Sequence, residues 1–141
     1  MKRVEFTIPG EPKGKQRPRF ARTGKYVRTY TPQDTVNYEN LVKLEYQNTG
    51  TDVFFEKDEP VKMVVVAYYS IPKSVSKKKR QQMLEGEIRP IKKPDSDNIL
   101  KAICDGLNGV AYVDDTQIVE TTIYRFYDDI PHVDVILGDP M

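Results

Sequence analysis

The sequence predicts an α+β fold: a single domain with one mixed, mostly antiparallel sheet packed with helices. The first observation is the length, 141 residues, which matches one domain of ordinary size. The second is the order of strand-like and helix-like segments, β-α-β-α-α-β-β, which does not alternate as a doubly wound parallel fold would. The third is the absence of an internal repeat, a low-complexity tract or an interdomain linker in the sequence.

The first half of the chain contains two predicted elements separated by a basic segment. Alternating residues 4–8 predict a short strand that ends at Pro9-Gly10. The segment 13–30 contains glycines and a proline and lacks sustained periodicity, which predicts a loop or a loose hairpin. Thr31 and Pro32 resemble an N-cap and a first helical residue, and they predict a helix that runs to about residue 48.

The second half predicts one central strand, two helices and two further strands. Residues 61–70 are rich in β-branched and aromatic residues, as in a central strand. Residues 77–84 form a short basic helix that Gly86 ends. Residues 95–107 carry apolar side chains at helical spacing and stop at Asn108-Gly109. Residues 117–127 and 133–137 predict the last two strands.

Composition excludes several classes of protein. Hydrophobic residues make up 38% of the chain, and no apolar run approaches the roughly 20 residues that a membrane helix needs. The N-terminus passes into alternating sequence without a signal-peptide apolar region. The chain has one cysteine and one histidine, which excludes an internal disulfide framework and a zinc site of the usual Cys/His kind. We therefore expect a cytoplasmic protein with no membrane partner.

Charge is distributed unevenly although the formal net charge is only +1. The segment 13–30 contains no acidic residue and seven basic ones: Lys13, Lys15, Arg17, Arg19, Arg22, Lys25 and Arg28. A second basic run lies at 73–93 and includes Lys92 and Lys93, whereas 95–129 is strongly acidic. For any single run, solvated surface charge is the simpler reading. Together, the runs predict a polyanionic partner and a cation bound between them.

The acidic segment contains a pattern suited to a hard metal ion. Asp95 and Asp97 fall at the cap and first turn of the predicted helix, and Lys101 shares a face with Asp97. A second acidic pair, Asp114-Asp115, follows after a short link. Carboxylates at two loci are what Mg²⁺ or Mn²⁺ prefers. The alternative is that these acids only cap the helix and solubilise the surface.

The motifs also resemble those of a known family. The run Asp95-Ser96-Asp97-Asn98-Ile99-Leu100-Lys101, followed by Asp105-Gly106-Leu107 and then Asp114-Asp115-Thr116-Gln117, resembles the RusA family of Holliday junction resolvases. The stretch Lys15-Gln16-Arg17-Pro18-Arg19-Phe20 resembles the phage-type branch of that family. The link before Asp114 is one residue shorter than in the best-known member, and Lys92-Lys93 stands where a longer arginine run is expected.

The resemblance implies a homodimeric, Mg²⁺-dependent endodeoxyribonuclease of DNA recombination and repair that cuts four-way junctions with paired, symmetric nicks. It implies that Asp95, Asp97 and Asp115 bind the metal and that Lys101 is needed for cleavage. It leaves open the role of Asp114 and the choice between one metal ion and two. We predict that the seven basic residues of 13–28, with Lys92 and Lys93, contact DNA.

Two other functions fit the same residues. One is a DNA-binding module without catalysis, in which the aspartates only cap and solubilise. The other is a metal-dependent nuclease that acts on other branched DNA or on RNA.

Outside these motifs, Cys104 lies on the apolar helix face, where we expect it to be buried packing, and His132 lacks a partner for metal binding. The aromatic residues Phe20, Tyr26 and Tyr30 alternate with arginines, which suits base stacking and structural packing equally.

Overall fold

A computed structural model describes the backbone of residues 1–141 and every side chain except that of Thr23. It confirms the predicted α+β class, with one mixed sheet, three α-helices and a separate hairpin. No helix of the described residues is both long and apolar enough to cross a bilayer.

Six strands form the two sheets. Their bounds are β1 Arg3–Pro9, β2 Arg19–Thr23, β3 Tyr26–Tyr30, β4 Val61–Ser70, β5 Ile118–Asp128 and β6 His132–Gly138. The main sheet has the order β1-β6-β4-β5, in which β6 pairs antiparallel with both β1 and β4, while β4 and β5 are parallel. The strand predicted to be central, β4, is central. The basic segment forms the hairpin β2-β3, one of its two predicted conformations.

Three α-helices lie between the strands: α1 Gln33–Asn48, α2 Lys77–Leu84 and α3 Ser96–Leu107. The start of α1 differs from the prediction. Pro32 is the N-cap, with an extended backbone at φ −54° and ψ 144°, so Thr31 is not the N-cap and Pro32 is not the first helical residue. The reason is that the carbonyl of Pro32 already accepts the first hydrogen bonds of the helix, from the backbone N–H groups of Thr35 and Val36.

One face of the main sheet forms the hydrophobic core together with α1 and α3. Every second residue of β4 is buried, from Val61 to Tyr69, as period-two alternation requires. The two helices approach closely at Gly106, where an added Cβ would lie 2.9 Å from the Cβ of Val42. Glycine at this position therefore brings the polar edge of α3 next to Glu39 of α1.

The opposite face of the sheet is less covered. Val64 and Ile136 lie directly opposite each other on β4 and β6, and both remain half-buried, as does Val66. The chain thus presents an apolar stripe on the side of the sheet away from α1 and α3.

Candidate active site and nucleic-acid surface

The N-terminus of α3 positions two of the predicted aspartates. Asp95 is the N-cap, and its Oδ1 accepts a hydrogen bond from the backbone N of Asn98 at 3.0 Å. Asp97 lies in the first turn, where the helix dipole favours a carboxylate. Both side chains belong to exposed residues. The helix therefore begins at Ser96 with Asp95 at its cap, as predicted, and capping accounts for one oxygen of Asp95.

A cavity of about 340 Å³ lies between α3 and the start of β5, and Asp97, Lys101 and Asp115 all line it. Lys101 Nζ is 3.9 Å from Asp115 Oδ2. Asp95 is not among the lining residues. The structure thus brings together three of the four predicted catalytic residues and places Asp95 just outside, at the cap.

The turn that carries Asp115 is fixed by its neighbours. Asp114 caps a short 3₁₀ helix, Asp115–Gln117, and a hydrogen bond from the Thr116 hydroxyl, with another from its backbone N–H, lowers the pKa of Asp114. The side chain of Gln117 accepts from the backbone N of Val113 and Asp114 at 2.9 and 3.0 Å. Its amide also donates to the carbonyls of Phe55, Glu56 and Glu59.

Sequence reasoning missed this role of Gln117. The signal that could have found it is its position three residues after Asp114, which is the spacing of a capping box. Asp114, whose role the sequence left open, is therefore a cap in this structure.

Asp105 is shared by two lysines. Its Oδ1 is 3.2 Å from Lys101 Nζ, and its Oδ2 is 3.2 Å from Lys15 Nζ. Lys15 also donates to Glu39 of α1 at 2.7 Å. The hydrogen bond to Asp105 raises the pKa of Lys101. Burial opposes the charge of Lys15, but hydrogen bonds to Glu39 and Asp105 raise its pKa on balance, so both lysines stay protonated.

The donor set of the cavity fits a magnesium ion. Among the described residues, no three His, Cys, Asp or Glu side chains gather into a group that holds a metal unaided. Mg²⁺, however, is usually held by one or two carboxylates, with waters and substrate phosphate completing its shell. The oxygens of Asp97 and Asp115 meet that requirement at one cavity.

A groove of about 680 Å³ lies beside the start of α3 and unites the two basic segments. Its lining includes five of the predicted DNA contacts: Lys13, Lys15, Arg17, Arg19 and Lys93. The backbone N of Lys15 donates to the Asn98 carbonyl at 2.9 Å, which fastens the N-terminal segment to α3. Gly14 permits this contact, because an added Cβ would lie 2.8 Å from the Cβ of Asn98. The ammonium of Lys15 itself is engaged by the carboxylates.

The hairpin β2-β3 extends the basic surface. It carries Arg22, Lys25 and Arg28, all exposed. Its register places Arg19 opposite Tyr30 and Arg28 opposite Ala21, so these two arginines share one face. Phe20 and Tyr26 are about three-quarters exposed, at 74% and 77%. The rings of Phe20 and Tyr26 therefore lie outside the hydrophobic core and are accessible to a partner.

Three further residues singled out in the sequence have structural contacts or are buried. Lys92 Nζ lies 5.9 Å from the centre of the Tyr69 ring. Burial raises the pKa of Cys104 to about 11, in keeping with packing rather than nucleophilic chemistry. His132 stacks on Tyr68 with ring centres 4.3 Å apart, which is a structural contact.

Comparison with known proteins adds two findings. Residues 9–137 match the family model described as endodeoxyribonuclease RusA. A relative from Bacillus subtilis (strain 168), the uncharacterized protein YqaN, is 36% identical over 139 residues, which cover 96% of this chain and 96% of the relative.

Proposed function

Because this chain belongs to the RusA endodeoxyribonuclease family, we propose that it is a Mg²⁺-dependent nuclease that resolves four-way DNA junctions by paired, symmetric nicks. In this proposal residues 1–141 act as one nuclease domain, and two copies form a dimer. The reaction would serve DNA recombination and repair.

The observation that supports the proposal most directly is the position of two surfaces around the first turn of α3. Asp97 faces the acidic cavity, and the next residue, Asn98, borders the basic groove. A DNA backbone bound along the groove would therefore pass close to the carboxylates. Basic side chains outside the cavity offset the repulsion between the DNA phosphates and the carboxylates.

Hydrolysis of a phosphodiester needs an activated water and compensation for the charge that grows on the phosphoryl oxygens. A bound divalent ion supplies Lewis acidity for both needs. In this chain, Asp97 and Asp115 would hold the ion, and Asp95 is the proposed third ligand. The protonated Lys101 adds positive charge beside the scissile phosphate. Asp105 accepts a hydrogen bond from Lys101 and so limits its conformations.

The proposed dimer follows from the symmetry of the substrate. A four-way junction has a two-fold axis and needs two opposed cuts, which a chain with one cavity provides as a C₂ dimer. The half-buried stripe of Val64, Val66 and Ile136 supplies an apolar surface for such a contact. We assign the dimer contact to this side of the sheet.

The decisive experiment uses a labelled synthetic four-way junction, with and without Mg²⁺, and a linear duplex of the same arm sequence. We expect symmetric nicks in the junction but not in the linear duplex, and only when Mg²⁺ is present. The Asp97→Asn variant should make no nicks. Tight junction binding without cleavage in Mg²⁺ or Mn²⁺ would establish the DNA-binding module instead. Cleavage of flaps or RNA in preference to the junction would establish the other nuclease.

A further inference from the structure

We propose that Asp105 and Lys15 form a positioning pair for Lys101: together they hold the Lys101 ammonium away from Asp115, so that Asp115 stays free for a divalent cation. Lys15 thereby serves the acidic cavity and not the DNA phosphates. The inference rests on the proposed function, because it deepens the role of the same cavity.

The first step in the argument is the contrast in exposure between the lysine and its anchor. The side chain of Lys101 is 56% exposed, whereas that of Asp105 is 18% exposed. A long, exposed lysine has many accessible rotamers, and a fixed carboxylate selects among them. Asp105 is therefore the anchor, and Lys101 is the group that it restrains.

The second step is that Lys15 fixes the anchor. Lys15 Nζ is 3.2 Å from Asp105 Oδ2, while Lys101 contacts the other oxygen, Oδ1. Glu39 holds Lys15 from the opposite side at 2.7 Å, and its side chain is only 16% exposed. The carboxylate of Asp105 is thus held by the partly buried Lys15 and in turn restrains the exposed Lys101.

The third step is a charge count. Lys15 and Lys101 carry two positive charges, and Glu39 and Asp105 carry two negative ones, so these four side chains are neutral together. The remaining carboxylates that line the cavity, Asp97 and Asp115, add two negative charges, which only the longer 3.9 Å contact of Lys101 with Asp115 offsets. That remainder matches one divalent cation.

The last step concerns what happens without Asp105. Lys101 Nζ already lies 3.9 Å from Asp115 Oδ2, at the edge of a salt bridge. With its nearer partner removed, the ammonium would pair fully with Asp115 and compete with a cation for the same oxygen. A merely structural Asp105 would have no such effect on Asp115.

The test measures Mn²⁺ binding to the DNA-free full chain, by calorimetry and by the electron paramagnetic resonance signal of free Mn²⁺. We expect Asp105→Asn to weaken Mn²⁺ binding about tenfold, a change within the range of one charge pair near 4 Å. In the Lys101→Met background, Asp105→Asn should weaken Mn²⁺ binding by less than about twofold. Arg3→Met removes an ion pair of 3.0 Å with Glu5 on β1, away from the cavity, and should change nothing.

Lys15 is tested by the salt dependence of junction binding. Lys15→Met should leave the slope of log affinity against log salt unchanged and should weaken Mn²⁺ binding, whereas Arg17→Gln should lower the slope by about 0.9 and spare Mn²⁺ binding. Lys15→Arg keeps both ion pairs and should retain Mn²⁺ affinity. It supplies the readout if Lys15→Met does not fold, as thermal unfolding will show.

Three results would overturn the positioning pair. One is that Asp105→Asn weakens Mn²⁺ binding equally in the presence and in the absence of Lys101, since this would reveal a general charge effect. A second is a lowered salt slope for Lys15→Met, and a third is weakened Mn²⁺ binding for Lys15→Arg. If the wild-type chain fails to bind Mn²⁺ or to cut junctions, the proposed function itself is overturned. If the wild-type chain does both and one of the three results above is found, only the positioning pair is overturned.

Discussion

Arg125 and Tyr69 hold the segment that leads into α3. Arg125 Nε donates to the Tyr69 hydroxyl at 3.0 Å, and that hydroxyl donates to the Pro94 carbonyl at 2.5 Å. Arg125 Nη2 donates to the same carbonyl at 3.1 Å and also to that of Lys92. Strand β5 thereby fixes the backbone immediately before Asp95.

We expect Arg125→Met to lower the free energy of unfolding by about 1–3 kcal/mol, because it removes the donors to the Lys92 carbonyl and the Tyr69 hydroxyl and one of the two donors to the Pro94 carbonyl. Junction cleavage should fall more than junction affinity, since the change displaces the aspartates at the start of α3, whereas most of the residues that line the groove lie in the segment 12–19. Chemical denaturation and single-turnover cleavage measure the two effects. The matched control is Arg3→Met, which removes an exposed ion pair with Glu5 and should cost less than about 1 kcal/mol. Equal effects of the two substitutions would contradict the role of Arg125.

Substitution of the aspartates separates capping from catalysis. Asp97→Asn and Asp115→Asn should abolish cleavage and leave junction binding intact or tighter, because negative charge near phosphate is removed. Asp95→Asn should also abolish cleavage but keep the thermal stability, since asparagine caps helices as well as aspartate does. Nicking assays, gel-shift titrations and thermal unfolding measure these outcomes. Full nicking by all three variants would exclude the proposed active site.

The basic groove is tested by changing Arg17 and Arg19 together to Ala. Both line the groove, and neither is buried. If both contact phosphates, junction binding should weaken, and the slope of log affinity against log salt should fall by roughly two units. Titrations in the cleavage-deficient Asp97→Asn background at several salt concentrations measure the slope. Lys57→Ala, an exposed lysine far from the groove in sequence, is the control. An unchanged slope would assign the arginines to the fold or to the dimer.

Dimerisation should depend on the apolar stripe of the sheet. We expect sedimentation of the wild-type chain at micromolar concentration to give about twice the 16.3 kDa chain mass. Val64→Glu should give monomers, because a charge would be buried in the contact. The control is Val119→Glu, at a valine on β5 that is already exposed. A wild-type monomer that still makes paired nicks would contradict the dimer.

The thiol of Cys104 should be slow to react. Burial is the largest cause that raises its pKa to about 11, and the negative charge of Asp115 adds to it. Compared with a thiol of pKa 9.0, the thiolate fraction at pH 8 falls roughly 100-fold, so alkylation by iodoacetamide should slow by about that factor. Reaction should recover in denaturant. Rapid alkylation of the folded chain at pH 8 would show that the thiol is open to solvent.

The sequence predicted most secondary structure because the local patterns are strong. The β-branched run of β4 and the short basic helix α2 have the predicted bounds, 61–70 and 77–84. Helical spacing also placed Asp97 and Lys101 on one face of α3. The start of α1 was missed by one residue, because Pro at the first helical position and Pro at the N-cap look alike in sequence.

The parts of the site that the sequence does not reveal are contacts between distant segments. A charge run does not say which lysines also turn inward, and the ammonium of Lys15, one of the predicted DNA contacts, lies between Glu39 and Asp105. Arg125 lies in an acidic segment, yet it contacts two backbone carbonyls and the Tyr69 hydroxyl, and no residue pattern reveals these contacts. The position of Asp95 outside the cavity likewise depends on the turn before α3.

The hairpin β2-β3 has a consequence for how such a protein can evolve. Its strands pair only with each other, and none of its described side chains is buried. Substitutions there therefore cost little folding free energy, while those in α3 or β4 disturb the core. Selection can vary the residues that we propose contact DNA without first acquiring compensating mutations elsewhere. Among relatives, sequence changes that alter substrate preference should consequently accumulate fastest in the hairpin β2-β3, while α3 and β4 change little.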